Sequence, residues 1–236
     1  MSDRLPISET FVSVQGEGKL TGTPSWFVRT SGCNLRCRWC DTPYASWAPE
    51  GAPRTVDELA REAAGSGVGH AVLTGGEPML FDALVPLSHA LRETGMHVTI
   101  ETAGTVDLPE VHADLMSLSP KLADSTPLDD PRDPTGAWAA RHEARRLNRG
   151  VLNALIARAP DRQLKFVVSS PADLPEIDAL LDELEGWSET DVMLMPEGVE
   201  PARPEAVRWI LDVCTARRWR YCQRLHIDLF GDTRGT

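Results

Sequence analysis

The sequence predicts an α/β protein, a partial, open parallel β/α barrel of about six strand–helix units. Short apolar runs typical of buried strands alternate along the chain with segments whose apolar residues recur at helical spacing. This alternation predicts a parallel sheet. Glycine or polar motifs follow nearly every apolar run, and parallel α/β barrels place their chemistry at the carboxyl ends of the strands. Six units rather than eight would leave the barrel open.

Length and composition are those of an ordinary globular protein. At 236 residues, with 42% hydrophobic and 25% charged residues, the chain is expected to form a single domain. No apolar run approaches the roughly 20 residues that a membrane helix needs. Residues 1–6 lack the features of a secretory signal, which predicts a cytoplasmic location. The net charge of −11 argues against a broad nucleic-acid or anionic-membrane surface.

The N-terminal part contains two predicted strands and one predicted helix. Residues 8–14 begin as a strand and end in the glycine-rich loop 15–18, and residues 25–32 are a buried strand. A connection rich in proline and glycine follows at 43–53. A capping box at residues 55–58 then predicts the start of a helix that ends near residue 64.

The rest of the chain alternates predicted strands and helices. The predicted elements are a strand at 70–74, a helix beginning at Pro78, strands at 96–102 and 114–118, an exposed loop at 123–134, a helix at 137–157, a strand at 163–168, a helix over 174–184, a strand at 191–195, a helix through 207–214 and a strand-like segment at 219–229. The helices are assigned from apolar positions that share one face.

Three cysteines follow the strand at 25–32 with the spacing C-x3-C-x2-C, at Cys33, Cys37 and Cys40. Cysteine thiolates are natural ligands of zinc and of iron–sulfur clusters. A closed structural zinc site needs four protein ligands, and no fourth cysteine or histidine lies nearby. A cubane cluster held by three cysteines leaves one iron open to a ligand from outside the protein. Five cysteines, with three of them clustered, therefore indicate a metal centre and not a disulfide framework.

The other two cysteines are predicted to be structural. Cys214 shares an apolar helix face with Val207, Ile210 and Leu211, which makes it a core residue. Cys222 lies in the strand-like segment near the C-terminus.

Three further features have both a functional and a structural interpretation. Loop 15–18 could bring backbone close to a ligand, but a simple turn after an edge strand is favoured on spacing alone. Arg29, inside an apolar run, could pair with an internal acid or bind a substrate carboxylate. Gly75 and Gly76 stand where a strand gives way to a helix, and their free backbone groups could contact a small zwitterion.

The cysteine loop, with Trp39 directly before its third cysteine, resembles the signature loop of the radical S-adenosylmethionine superfamily. In that superfamily the methionyl amine and carboxylate of the cofactor bind the fourth iron. The other motifs make the chain similar to the 7-carboxy-7-deazaguanine synthase family over nearly its whole length. These motifs are residues 14–18, Arg29, residues 41–42 after the cysteine loop, and residues 73–78, 101–104, 119–121 and 224–231.

The resemblance implies a lyase-type radical enzyme of queuosine and deazapurine biosynthesis. Its substrate would be 6-carboxy-5,6,7,8-tetrahydropterin, contracted to 7-carboxy-7-deazaguanine with loss of ammonia. It implies a 4Fe-4S cluster, S-adenosyl-L-methionine and Mg²⁺ as cofactors, with the radical on the cofactor and not on a catalytic side chain. It also implies a flavodoxin- or ferredoxin-type electron donor and a homodimer. Residues 1–236 would be one radical SAM domain, with a short N-terminal substrate-binding segment and a C-terminal tail that closes the site.

The resemblance also implies a role for each matching residue. The expected metal ligands are Cys33, Cys37 and Cys40 for the cluster and Thr42 for Mg²⁺. The expected cofactor-binding residues are Trp39, Asp41, Gly75, Gly76, Glu77, Glu101, Ser119, Pro120 and Lys121. The expected substrate-binding residues are Val14, Gln15, Gly16, Glu17, Arg29, Thr74, His226 and the C-terminal Thr236. Structural interpretations stay open for several of them, since Glu77 and Ser119 could cap helices and Lys121 could lie on the surface.

Two other functions fit parts of the sequence. An activase that installs a glycyl radical on a partner protein shares the cysteine loop and the Gly-Gly-Glu-Pro motif. A zinc-stabilised binding module would use the three cysteines and one histidine without catalysis.

Overall fold

A nine-stranded sheet forms the centre of the computed structural model, which describes residues 3–236. Seven strands run parallel, and they are β2 (Pro24–Thr30), β4 (His70–Gly75), β5 (His97–Thr102), β6 (Leu115–Leu118), β7 (Asp161–Val168), β8 (Val192–Pro196) and β9 (Arg220–Tyr221). Two strands, β1 (Arg4–Val14) and β3 (Ala52–Thr55), add an antiparallel edge. The strand order is β3-β1-β2-β4-β5-β6-β7-β8-β9. The predicted α/β class with an open, mostly parallel sheet is confirmed.

The parallel strands are short apolar runs buried on both faces. All six residues of β4 except the last are buried, as are all four of β6, and only Pro196 of β8 is not. Parallel strands buried on both faces need such largely apolar runs. Each of the six parallel strands predicted from the sequence is present, and β9 adds a seventh.

Seven α-helices accompany the strands within residues 3–236. They are α1 (Val56–Gly65), α2 (Leu84–Glu93), α3 (Ala137–Arg145), α4 (Arg149–Arg158), α5 (Leu174–Leu181), α6 (Pro204–Arg217) and α7 (Leu225–Phe230). The capping box predicted for α1 is confirmed. Thr55 Oγ1 accepts a hydrogen bond from the Glu58 N–H at 3.2 Å, and the Glu58 carboxylate accepts one from the Thr55 N–H at 2.8 Å.

The antiparallel edge was only partly predicted. Strand β1 begins at Arg4, earlier than expected, and β3 lies where the sequence predicted only a connection. Pro53 of β3 pairs with Pro6 of β1. Prolines cannot donate ladder hydrogen bonds and are found mainly on edge strands, so they concealed the strand pattern.

Three predictions about helices were wrong in detail. The helix predicted at 137–157 is broken into α3 and α4, because the Asn148 side chain caps a new helix by accepting from the Val151 N–H at 3.2 Å. Pro78 begins a separate 3₁₀ turn, Pro78–Leu80, and α2 starts only at Leu84. No helix connects β5 to β6, so the pattern of six strand–helix units is interrupted there.

The C-terminal region also differs from the prediction. Only Arg220 and Tyr221 of the strand-like segment pair with β8, and residues 225–230 form α7. A short apolar run does not distinguish strand from helix. Leu211 is 40% exposed and does not share the buried face of α6.

The loop predicted to be exposed at 123–134 is partly buried. Ser125, Thr126, Asp130 and Asp133 are all buried there. This loop packs beneath the cysteine loop, since the Arg38 N–H donates to the Ser125 carbonyl at 2.8 Å.

The two isolated cysteines are buried, as predicted. Cys214 belongs to the main hydrophobic core, and Cys222 packs with Val167, Met193 and Met195 in a second, smaller cluster. Across residues 3–236, no helix combines the length and the apolar character needed to cross a membrane.

Candidate active site

A cavity of about 480 Å³ opens at the carboxyl ends of the parallel strands. Its walls come from the N-terminal loop 15–17, the cysteine loop, the ends of the central strands and the C-terminal residues 231–236. Small-molecule sites usually occupy about 300–1,000 Å³. The cavity therefore has the size and position expected of a site in an open parallel sheet.

The cavity brings together nearly every site residue expected from the sequence. All the expected cluster, Mg²⁺, cofactor and substrate residues line it, with two exceptions, Glu77 and Pro120. Residues separated by more than 200 positions, such as Gln15 and Thr236, meet in this one space. Their individual roles stay predictions.

The three clustered cysteines face this cavity as free thiols. Burial, with the negative charge of Glu77, raises the pKa of Cys33 to about 12, and burial also raises the pKa of Cys37. Buried thiols such as these lose their protons when a metal binds them. Within residues 3–236, no set of three or more cysteine, histidine or acidic side chains is arranged to hold a single metal ion. A soft donor set of three sulfurs around a shared space fits an iron–sulfur cluster.

Hydrogen bonds from several elements fix the path of the cysteine loop. The Trp47 indole N–H donates to the Cys37 carbonyl at 3.0 Å, and the Gly32 N–H donates to the Ala45 carbonyl at 2.8 Å. The Cys40 sulfur lies 3.1 Å from Ser46 Oγ. Such contacts set the positions of the thiols before any ligand is bound.

His142 is buried beneath the cysteine loop and holds the backbone of that loop at Arg36. The Arg36 N–H donates to His142 Nδ1 at 3.1 Å, and His142 Nε2 lies 2.8 Å from Ser125 Oγ. Because Nδ1 accepts, the ring proton belongs on Nε2, which donates to the serine. Burial lowers the pKa of His142 to about 4, so the ring is neutral near pH 7.

Gly76 allows β4 to approach the cysteine loop. A Cβ atom at this position would lie 2.3 Å from the Gly32 carbonyl oxygen and 2.5 Å from that of Ala45. Both oxygens belong to backbone and cannot move aside as a flexible side chain could. Glycine is therefore required here by close packing.

Glu77 turns away from the cavity and connects two strand ends. Its buried carboxylate accepts hydrogen bonds from the Met79 N–H at 3.1 Å, from Thr102 Oγ1 at 2.7 Å and from the Ala103 N–H at 2.8 Å. Burial raises the pKa of Glu77. The bond to Met79 caps the 3₁₀ turn, the structural interpretation that the sequence left open.

Glu101, an expected cofactor-binding residue, is hydrogen-bonded to two expected substrate-binding residues. One carboxylate oxygen accepts from Gln15 Nε2 and the other from Thr74 Oγ1, both at 3.0 Å. The N-terminal loop, β4 and β5 are thereby held together on the cavity wall. On the opposite side, Lys121 Nζ donates to Ser119 Oγ at 2.8 Å and lies 5.5 Å from the centre of the Trp39 ring.

A buried charge network that the sequence analysis missed surrounds Glu17. Its carboxylate pairs with Lys165 on β7 and with Arg224, whose Nε lies 3.2 Å from Glu17 Oε1. Arg224 also pairs with Asp41. Burial raises the pKa of Glu17, but the charges of Lys165 and Arg224 outweigh it and hold that pKa well below its usual range. The sequence did contain one indication of this network, since Lys165 lies inside the apolar strand 163–168 and a buried lysine needs an acidic partner.

A second charge network surrounds Glu9, a residue that the sequence analysis did not include among the expected site residues. Its carboxylate accepts from Arg29 Nε at 2.7 Å, from the Tyr44 hydroxyl at 2.9 Å and from Arg234 Nε at 3.1 Å. Arg29 therefore has the internal acid partner that was one of its two interpretations, and it also lines the cavity. Burial raises the pKa of Glu9, but the charge of Arg29 and the hydrogen bonds from Arg29, Tyr44 and Arg234 together outweigh it, and the net shift is downward.

The C-terminal tail closes over the N-terminal loop. The Leu225 N–H donates to the Gly16 carbonyl at 2.9 Å, and His226 packs against Gly16. Farther on, the Arg234 guanidinium lies 4.1 Å from the centre of the Tyr44 ring. Tail and loop therefore form one wall of the cavity.

We expect Gly16→Ala to destabilise the protein. The new Cβ would lie 2.0 Å from His226 Nδ1 and 2.9 Å from its Cβ, so the histidine must move. Overpacking of this kind costs about 1–3 kcal/mol. Urea unfolding measures the change. Gly65→Ala is the matched control, since a Cβ there meets nothing within 4 Å. Equal midpoints for the two variants would contradict the packing argument.

Comparison with known proteins gives the class and the family. Residues 27–141 match the model of the Radical SAM superfamily. A 7-carboxy-7-deazaguanine synthase of Rhodopirellula baltica is 52% identical over 235 residues, covering 98% of this chain and 89% of the relative. One of Halobacterium salinarum is 49% identical, covering 97% and 91%. The crystal structure of QueE from Escherichia coli superposes with a TM-score of 0.70 at 25% identity, covering 94% and 95% of the two chains.

The fold and the cysteine-lined cavity are those of a radical S-adenosylmethionine protein. Similarity extends over nearly the whole length of both chains at about half identity. The protein belongs to the 7-carboxy-7-deazaguanine synthase family. The resemblance inferred from the motifs is thus confirmed.

Proposed function

We propose that this chain converts 6-carboxy-5,6,7,8-tetrahydropterin to 7-carboxy-7-deazaguanine with loss of ammonia, a step in queuosine or other deazapurine biosynthesis. The main observation that supports this proposal is that the cysteine loop and the family-specific motifs, which are far apart in the chain, line one cavity of suitable size. The similarity to 7-carboxy-7-deazaguanine synthases over 98% of the chain supports the same reaction.

The cofactors implied by the family are a 4Fe-4S cluster and S-adenosyl-L-methionine. Cys33, Cys37 and Cys40 would hold the cluster, leaving one iron free for the cofactor. When bound, the two groups supply the radical chemistry that the protein's own side chains lack. Thr42 lines the same cavity and offers a hydroxyl oxygen, which suits Mg²⁺, a hard cation that prefers oxygen ligands.

The protein's own task is to orient the pterin and to exclude water. Gln15 and the backbone of loop 14–16 would recognise the edge of the ring, and Thr74 would contact its face. Arg29 would bind the substrate carboxylate while keeping Glu9 as its second partner. Glu17 and His226 would complete the enclosure beneath the C-terminal tail.

The remaining parts of the proposal rest on the family resemblance. Residues 1–236 would act as one radical SAM domain and pair as a homodimer in the cytoplasm. The electron would come from a flavodoxin- or ferredoxin-type protein.

The deciding experiment is turnover by the anaerobically purified protein. Reduced enzyme with about four irons per chain, S-adenosyl-L-methionine, Mg²⁺ and the pterin are expected to yield the deazapurine, detected by mass spectrometry, with release of ammonia. No product from a fully loaded enzyme would overturn the assignment.

The same preparation separates the two alternatives. A glycyl-radical activase would leave the pterin unchanged and produce a radical signal on a partner protein. A zinc-stabilised module would be colourless after anaerobic purification and would contain stoichiometric zinc. Neither outcome is expected.

A further inference from the structure

Arg36 is a buried cation within the cysteine loop. Three other arginines have side chains that are only 10–16% exposed, and all three have carboxylate partners: Arg29 pairs with Glu9, Arg146 with Glu143 and Glu176, and Arg224 with Glu17 and Asp41. Arg36 is 8% exposed, and no carboxylate within residues 3–236 forms an ion pair with it. A buried charge without a counter-charge is costly, so its location calls for a compensating negative group.

The guanidinium is fixed to the loop that carries the cysteines. Arg36 Nη1 donates to the Cys33 carbonyl at 2.8 Å and to the Leu35 carbonyl at 2.7 Å. Its Cζ lies 4.0 Å from the centre of the Trp138 ring, which covers it. The Arg36 backbone is in turn held by His142. The positive charge therefore stays at one place relative to the three sulfurs.

The expected cluster ligands flank this charge in the chain. Arg36 lies between Cys33 and Cys37, and its Nη1 is hydrogen-bonded to the backbone of Cys33 itself. Each thiolate on a bound cluster contributes one negative charge, and reduction of the cluster adds another. The electron comes from an external low-potential donor, and the arginine neither gains nor loses a proton. A fixed buried cation stabilises the reduced cluster, which carries the extra negative charge, and so raises its reduction potential.

We propose that Arg36 is a positioning residue whose buried charge raises the reduction potential of the cluster held by Cys33, Cys37 and Cys40. The proposal rests on the cluster assignment in the proposed function but not on the pterin reaction. It explains a buried arginine on the cysteine loop whose side chain contacts two backbone carbonyls of that loop and an indole ring but no carboxylate.

The test is an EPR-monitored redox titration of anaerobically purified protein with dithionite, without S-adenosyl-L-methionine or pterin. Arg36→Gln is expected to shift the midpoint to a more negative value by at least 59 mV, which corresponds to a tenfold change in a one-electron equilibrium. Arg36→Lys, which keeps the charge, is expected to shift the midpoint by less than 59 mV, a change of less than tenfold in the equilibrium constant.

Arg38→Gln is the matched control. Arg38 is exposed on the same loop, and its Nε donates to the Asp124 carbonyl at 3.3 Å. Because water screens its charge, its loss is expected to change the equilibrium less than tenfold. Equal shifts in Arg36→Gln and Arg38→Gln would overturn the proposal, as would a wild-type potential in Arg36→Gln with full iron content.

A second variant covers the case in which Arg36→Gln does not take up a cluster. Trp138→Leu keeps the guanidinium but exposes it to water, so the midpoint is expected to become more negative through screening. An unchanged midpoint in a fully loaded Trp138→Leu protein would overturn the proposal. Because the titration contains no pterin, its result can be interpreted even if the proposed pterin reaction proves wrong.

Discussion

Replacing Cys37 with alanine is expected to abolish both cluster binding and product formation while leaving the fold intact. Cys37 is 8% exposed and lines the cavity with Cys33 and Cys40. Each of the three cysteines is expected to bind one iron of the 4Fe-4S cluster, and the two that remain in the variant would leave a second iron without a protein ligand. Removal of one sulfur from a packed site costs only about 1 kcal/mol of stability. Iron and sulfide analysis, formation of 5′-deoxyadenosine and urea unfolding measure the three expectations.

Cys214→Ala is the matched control for Cys37→Ala. Cys214 is 5% exposed and lies in the hydrophobic core on α6, away from the cavity lining. The same atom is removed from a site of similar burial, so a similar loss of stability is expected with full iron content. A Cys37→Ala protein that still forms 5′-deoxyadenosine would contradict the ligand assignment.

The parts of the site that were predictable from the sequence are local. The spacing of the three cysteines and the Gly75–Gly76 pair can be read within a few residues, and both appear where a strand ends. Parallel strands bring their carboxyl ends to one edge of the sheet, so motifs that follow the strands were expected to meet there. The cavity lining agrees with that expectation.

The contacts that were missed join residues far apart in the chain. Glu17 and Lys165 are 148 positions apart, and Arg234 reaches Glu9 across 225 positions. Periodicity shows that a residue is buried but not which partner it meets. Lys165 could have been suspected because a lysine in a buried strand needs an acid, as was argued for Arg29.

The misassigned elements reflect weak local signals. Strand β3 contains Pro53, and only its edge position makes that acceptable. The break between α3 and α4 depends on one side chain, Asn148, which caps a helix but could equally have been a polar surface residue. In both cases the tertiary context decided between two local alternatives.

Lys165→Met is expected to cause a large loss of stability. Lys165 is 5% exposed, and its ammonium group pairs with the buried carboxylate of Glu17. Breaking a buried pair by removing one partner costs about 3–5 kcal/mol, because the remaining charge is left poorly compensated. Arg224 still contacts Glu17, so a value near the lower end is expected. Urea unfolding at pH 7 of the cluster-loaded protein gives the value.

The double variant Glu17→Gln/Lys165→Met tests the cause. If the uncompensated carboxylate is responsible, the double variant is expected to be more stable than Lys165→Met alone. Arg208→Met serves as the surface control, since Arg208 and Asp212 form a well-exposed pair at 3.3 Å whose loss should leave the unfolding midpoint unchanged. A double variant that is less stable than either single variant would show that packing, and not charge, explains the loss.

The pH dependence of this loss follows from the two shifted groups. The pKa of Glu17 is lowered from 4.5 in the folded protein, so its contribution is present above pH 4.5 and is lost as pH falls toward the folded value. The pKa of Lys165 is raised from 10.5, so its contribution is present below pH 10.5 and is lost as pH rises through the folded value. The stability difference between wild type and Lys165→Met is therefore expected to be constant from about pH 5 to pH 9 and to shrink in strong acid. A difference that already varies between pH 6 and pH 8 would mean that a histidine such as His226, 4.0 Å from Glu17, governs the network instead.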